Sequence, residues 1–161
     1  MVHHDDVPLI LSRRFGGVCE HQADILLVDD DFDVLRMTDR TLRSAGYSTI
    51  RAHCPTAAME VLDTTRFSLL ILDVNMPLLN GIELAAGVRR GEFACANRDV
   101  PILFLTSDDR ESTYEDTFDV GAYGFLLKPI DPARLLDAVQ STLHGPVSSF
   151  ARATPLRAVG G

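Results

Sequence analysis

The chain has 161 residues, of which 46% are hydrophobic and 24% charged, and carries a formal net charge of −8. That length suits one domain with its own core, and the charge argues against nucleic-acid binding by the body of the chain, which would need a basic footprint. Apolar runs fall well short of the ~18 residues that suggest a membrane span. The N-terminal His3-His4-Asp5-Asp6 lacks the positive charge of a signal peptide. Cys19, Cys54 and Cys95 are odd in number and widely spaced, which suggests neither a disulfide framework nor a zinc site, and a reducing cytoplasm is the expected compartment.

Residues 1–23 read as a flexible extension, with Pro8, Gly16-Gly17 and no sustained period. From Asp24 onward, apolar runs alternate with helical patterns. Ile25-Leu26-Leu27-Val28 reads as a strand ending in Asp29 and Asp30. Val34, Leu35, Met37, Thr38, Leu42 and Ala45 then recur at helical spacing, with Gly46 as C-cap. Residues 47–50 predict a short strand nearer a sheet edge, and Pro55 opens a second helix through Met59, Val61 and Leu62. Leu69-Leu70-Ile71-Leu72 ends in Asp73. A loop with Pro77 and Gly81 leads to a helix containing Ile82, Leu84, Ala85 and Val88. After a long connection over residues 91–99, Pro101 opens a fourth strand that ends in Thr106. Residues 111–120 predict a helix closed by Gly121, and Phe125-Leu126-Leu127 ends in Lys128. Asp131 as N-cap and Pro132 as N1 start a last helix with Leu135, Leu136, Val139 and Leu143 facing inward. Residues 145–161 read as a disordered tail, leaving 24–144 as the domain.

Five βα units in succession predict an α/β fold with a parallel sheet and right-handed crossovers. Strands covered on both faces are written as continuous apolar runs, and open α/β sheets bind ligands beyond the carboxyl ends of their strands. Four such runs end in Asp29-Asp30, Asp73, Thr106 and Lys128. One shared site is the economical reading. Adjacent carboxylates repel unless something compensates, and a hard divalent cation such as Mg²⁺ does so well. Asp73, kept ionised there, could attack a phosphoryl donor and form an acyl phosphate. Phosphoryl transfer needs charge stabilisation above all, which the Lys128 ammonium and the Thr106 hydroxyl would add to the cation. Taken singly, each residue could be a helix cap or a solvated charge; their joint placement at strand ends is what carries the reading.

The stretches Ile25-Leu26-Leu27-Val28-Asp29-Asp30-Asp31, Leu72-Asp73-Val74-Asn75-Met76-Pro77-Leu78-Leu79-Asn80-Gly81, Leu105-Thr106-Ser107 and Gly121-Ala122-Tyr123-Gly124-Phe125-Leu126-Leu127-Lys128-Pro129 resemble the CheY-like receiver domain of bacterial two-component response regulators. The resemblance implies a doubly wound, five-stranded, three-layer α/β/α domain of flavodoxin-like strand order 2-1-3-4-5, for which a receiver is itself the standard example. It implies Asp73 as phosphoacceptor, with Asp29, Asp30, Asp73 and the Asn75 backbone carbonyl around Mg²⁺. The donor would be a phosphohistidine on a sensor histidine kinase or histidine phosphotransfer protein. Thr106 and Phe125 would form a switch pair, and Asn75 and Asp108 would tune the phosphoryl lifetime. A homodimer through the fourth helix, fifth strand and fifth helix is a further expectation, as is an unidentified downstream protein target. Tyr123-Gly124, Ser107 and Ile130 depart from residues common in the family without removing a catalytic group.

On this reading the chain is a stand-alone signalling module rather than a dedicated enzyme, with no nucleic-acid or membrane partner. Two alternatives come from other classes. One is a phosphorylation-independent interaction domain on the same fold. The other is a haloacid-dehalogenase-type phosphatase, which Asp29-x-Asp31-x-Asp33 imitates but which leaves Asp73 unexplained. A calcium loop would need glycine where Val34 stands and glutamate where Arg40 stands.

Overall fold

The computed structural model describes residues 21–107 and 110–145. Five parallel strands, β1 (His21–Val28), β2 (Thr49–Ala52), β3 (Thr65–Asp73), β4 (Ile102–Thr106) and β5 (Gly124–Leu127), form one sheet of order β2-β1-β3-β4-β5. Five helices connect and follow them: α1 (Phe32–Ser44), α2 (Pro55–Thr64), α3 (Gly81–Arg90), α4 (Glu111–Asp119) and α5 (Pro132–His144). The doubly wound α/β expectation holds, strand order included.

Alternation along the strands sorts the core into two halves. Leu26, Val28, Leu70, Leu72, Phe104 and Phe125 pack with Leu62 of α2, with Leu84, Ala85 and Val88 of α3, and with Tyr114 and Phe118 of α4. Ile25, Leu27, Leu69, Ile71, Leu103, Leu105 and Leu126 pack with Leu35 and Leu42 of α1 and with Leu135, Ala138 and Val139 of α5. Both faces are therefore covered, which is why the central strands read as unbroken apolar runs. Each fully buried Leu or Ile contributes about 1.5–3 kcal/mol of transfer free energy.

Boundaries differ from the sequence expectation in particular places. β1 starts at His21, where His21 and Gln22 pair with Thr65 and Arg66, so the regular structure reaches three residues into the predicted extension. β3 starts at Thr65, directly after α2, rather than at Leu69. β2 lies two residues later than predicted, though at the edge as expected. Asp131 holds the N-cap position of α5 but its carboxylate makes no cap bond. Cys54 is free, whereas Cys95 is disulfide-bonded, which corrects the expectation from cysteine spacing. Most of residues 1–23 and 145–161 lie outside the described residues. No described helix is long and apolar enough to cross a membrane.

Candidate functional site

The register of the sheet brings the four strand ends together. Val28 pairs with Leu72, Asp73 with Leu105 and Thr106 with Leu127, so Asp29, Asp73, Thr106 and Lys128 all fall at one edge. Asp29 and Asp73 are buried and Asp30 is exposed, and the three offer carboxylate oxygens within 4.8 Å of one another. Lys128 Nζ lies 2.7 Å from Asp29 Oδ2 and 3.4 Å from Asp73 Oδ1. Its backbone amide donates to the Thr106 carbonyl at 2.8 Å, and the peptide bond to Pro129 is cis. Thr106 is 1% exposed.

Local structure frees the acids for this arrangement. Asp31, not Asp29 or Asp30, caps α1 by accepting from the Asp33 and Val34 amides. The Asp31 amide in turn donates to Asp29 Oδ1 at 2.9 Å, which aims the other oxygen inward. Asp33 pairs with Arg36 at the surface. The Asp31 and Asp33 side chains thus go to capping and solvent, which removes the phosphatase and calcium-loop reading of that triplet.

Asp73 is held by the Asn75 amide, which donates to Oδ1 at 3.2 Å. The loop beyond it turns back sharply: the Gly81 amide donates to the Val74 carbonyl at 3.0 Å, and a Cβ on Gly81 would stand 2.1 Å from the Asp73 carbonyl oxygen. Leu78, fully exposed, takes a left-handed φ of 74° in the same loop. Asn80 and Glu83 then close a capping box at the start of α3. The sequence reading had Gly81 only as a loop residue and part of a motif; its close approach to the Asp73 backbone is a tertiary fact.

Three carboxylates face one ammonium, which leaves two negative charges uncompensated. Burial, and then the Asp29 charge, push the Asp73 carboxyl from 3.8 up to about 7, against the opposing pull of Lys128 and the Asn75 amide. Burial would lower the Lys128 pKa, but its hydrogen bond and charge contacts with Asp29 and Asp73 outweigh this and raise it. Asp29 Oδ2 is buried, with the Lys128 ammonium as its partner. An under-compensated, partly open set of hard oxygen donors fits Mg²⁺.

Phe125 is fully buried, two residues before Leu127 on the face that Thr106 and Phe104 share. Its ring stacks on Tyr114 of α4 at 4.1 Å and 13°, and meets Phe118 edge-on at 6.3 Å and 70°. Tyr114 did not figure in the sequence reading; position 114 on the inward face of the fourth helix was the available signal. Asn75 is exposed beside Asp73, while Asp108 lies outside the described residues.

Comparison with known proteins agrees with the geometry. Residues 25–140 match the family described as "Response regulator receiver domain". The phosphate regulon transcriptional regulatory protein PhoB of Pseudomonas aeruginosa is 33% identical over 129 residues, covering 79% of this chain and 55% of that protein. The response regulator MprA of Mycobacterium avium is 36% identical over 120 residues, 74% of this chain and 50% of its own length. The chain thus spans about half the length of the curated relatives it matches. Among solved structures, chemotaxis protein CheY4 of Vibrio cholerae superposes with a TM-score of 0.70 at 34% identity, over 76% of this chain and 99% of that one. The chain belongs to the response regulator receiver domain family.

Proposed function

We propose that this receiver accepts a phosphoryl group on Asp73 from a phosphohistidine of a sensor histidine kinase or phosphotransfer protein, and that it does so in the cytoplasm with Mg²⁺ as cofactor. The observation that carries the proposal is the under-compensated carboxylate cluster around Asp73, with Lys128 reaching both buried acids. Asp29, Asp30 and Asp73, with the Asn75 carbonyl, would hold the ion, which supplies charge neutralisation when bound.

An Asp73 carboxylate oxygen attacks the donor phosphorus, an O–P bond forms, and the P–N bond breaks as the imidazole leaves. The Asn75 amide orients the Asp73 carboxylate for this attack. Lys128 exchanges part of its pairing with Asp29 and Asp73 for a phosphoryl oxygen. The Thr106 hydroxyl, at the end of β4 on the face that carries Phe125, is drawn toward another phosphoryl oxygen. Space vacated by Thr106 admits the Phe125 ring, so that a local charge event repacks α4 against β5 and α5. Phosphorylation shifts an existing equilibrium by as much as it favours one packing over the other.

The output on this reading is protein–protein contact by the receiver surface, which the net charge of −8 favours over contact with nucleic acid. No external substrate is turned over. The test incubates the protein with Mg²⁺ and acetyl phosphate and follows intact mass. A single acid-stable, base-labile phosphoryl adduct that maps to Asp73 and disappears with chelator supports the proposal. An adduct that persists in Asp73→Asn rejects it.

A further inference from the structure

Arg89, near the end of α3, takes no part in the phosphate site, yet its guanidinium donates four hydrogen bonds to backbone carbonyls. Nε reaches Val120 at 3.0 Å and Nη2 reaches Gly121 at 3.0 Å. Nη1 reaches Arg98 and Val100, each at 2.7 Å. Val120 is the C-cap of α4 and Gly121 follows it at a left-handed φ of 71°. Residues 98 and 100 belong to the segment that feeds β4. One side chain therefore ties the C-terminal end of α4 to the sheet through α3. A planar fork with five donors suits this task, where an ammonium could serve only part of it. The cation also lies at the negative end of the α4 dipole. A Cβ on Gly121 would come within 3.4 Å of Arg89 Nε, so the guanidinium rests directly against that turn.

The other end of α4 is fastened differently. The helix begins at Arg110 with no side-chain cap bond. Tyr114, in its first half, is the residue whose ring stacks on Phe125, whereas Phe118, beside the clamp, touches that ring only edge-on. A Phe125 ring that moves must part from Tyr114 or carry it along.

We propose that Arg89 is a positioning residue that fixes the C-terminal end of α4 as a pivot, so that repacking of Phe125 displaces the first half of the helix. The proposal rests on the phosphoryl-switch reading above. Amide hydrogen exchange on the whole chain, with and without Mg²⁺ and beryllofluoride as phosphoryl mimic, tests it over residues 111–116 and 117–122. In the unaltered protein the mimic should change exchange severalfold in the first segment and leave the second unchanged. Arg89→Met should make both segments respond alike. Arg89→Lys should move the same way by a smaller amount, and provides the comparison if the methionine variant does not fold. Val88→Ala, a buried neighbour outside the clamp, should lower stability while keeping the two segments distinct. An equal response of both segments in the unaltered protein overturns the pivot alone. So does an unaltered difference in both Arg89 variants, or a Val88→Ala protein that behaves like Arg89→Met. A mimic that fails to bind at Asp73, read by its own fluorine resonance, overturns the switch reading and the pivot with it.

Discussion

The two ends of the sheet bury polar groups in opposite ways. At the amino end, Asn97, 1% exposed, accepts from the Phe67 amide at 2.9 Å and donates to the Thr65 and Leu62 carbonyls at 2.9 and 3.4 Å. One amide side chain thereby serves the junction where α2 runs straight into β3. At the carboxyl end, Asp29 and Asp73 are as deeply buried but share one ammonium between them. Satisfied burial rigidifies, whereas unsatisfied burial stores an affinity for whatever completes it. Stability should therefore be lost by damage at the amino end and gained by neutralisation at the carboxyl end.

The largest effect should come where the two requirements meet, at Gly81. Its missing Cβ is what lets α3 begin against the Asp73 carbonyl. Gly81→Ala must shift backbone rather than a flexible side chain, at about 3 kcal/mol in urea denaturation. Asp73 moves with it, so on the proposed function phosphoryl uptake by the folded fraction should fall as well. A variant with unaltered uptake would show that Asp73 tolerates displacement.

Asn97→Ala should cost about 2–3 kcal/mol, because it strands a buried amide and two carbonyls together. Phosphoryl uptake per folded molecule should stay as it was, since the site lies at the other end of the strands. A loss of uptake without a loss of stability would contradict the division between the two ends.

Why one end was legible in the sequence and the other was not follows from chemistry. Asp29, Asp30, Asp73, Thr106 and Lys128 each interrupt an apolar run, so their types and positions stand out. Asn97 sits in a connection rich in polar residues, where asparagine ordinarily faces water. For the same reason the Thr65-Arg66-Phe67-Ser68 start of β3 did not read as strand: its pairing with β1 and Asn97, not its composition, makes it one. Arg89 was equally opaque, because four carbonyl acceptors from two distant segments leave no periodic mark.

The charge on Asp73 gives a pH test of the carboxyl end. Its folded pKa, about 7, lies above the ordinary 3.8, so the folded protein holds that proton more tightly than the unfolded chain. The resulting stability is fully present below pH 3.8 and is lost as pH rises toward 7. In chelator, Asp73→Asn should therefore match the unaltered protein near pH 4 and exceed it above pH 7, read as the difference in urea midpoint between the two proteins. Added Mg²⁺ should raise the melting temperature of the unaltered protein more at pH 8 than at pH 5, and should do much less for the variant. A difference between the two proteins that ignores pH would remove the uncompensated charge from the account.

Thr38 supplies the smallest effect and the control for the comparison. It is 1% exposed on α1, and its Oγ1 is buried without a hydrogen-bond partner among the described residues. Thr41 and Thr142 turn their hydroxyls back to the carbonyls of Met37 and Ala138, four residues earlier, but Thr38 does not. Valine has nearly the same shape and similar helix propensity, so Thr38→Val removes the stranded hydroxyl at little packing cost. It should stabilise the protein by roughly 0.5–1 kcal/mol in urea denaturation and leave phosphoryl uptake unchanged. Asp29→Asn, by contrast, breaks a buried ion pair with Lys128 and takes a charge from the cluster around Asp73, and uptake should collapse. If Thr38→Val gains stability with uptake unchanged while Asp29→Asn loses uptake, the two buried oxygens differ in kind: one is a packing defect, the other a member of the charge set through which the site works.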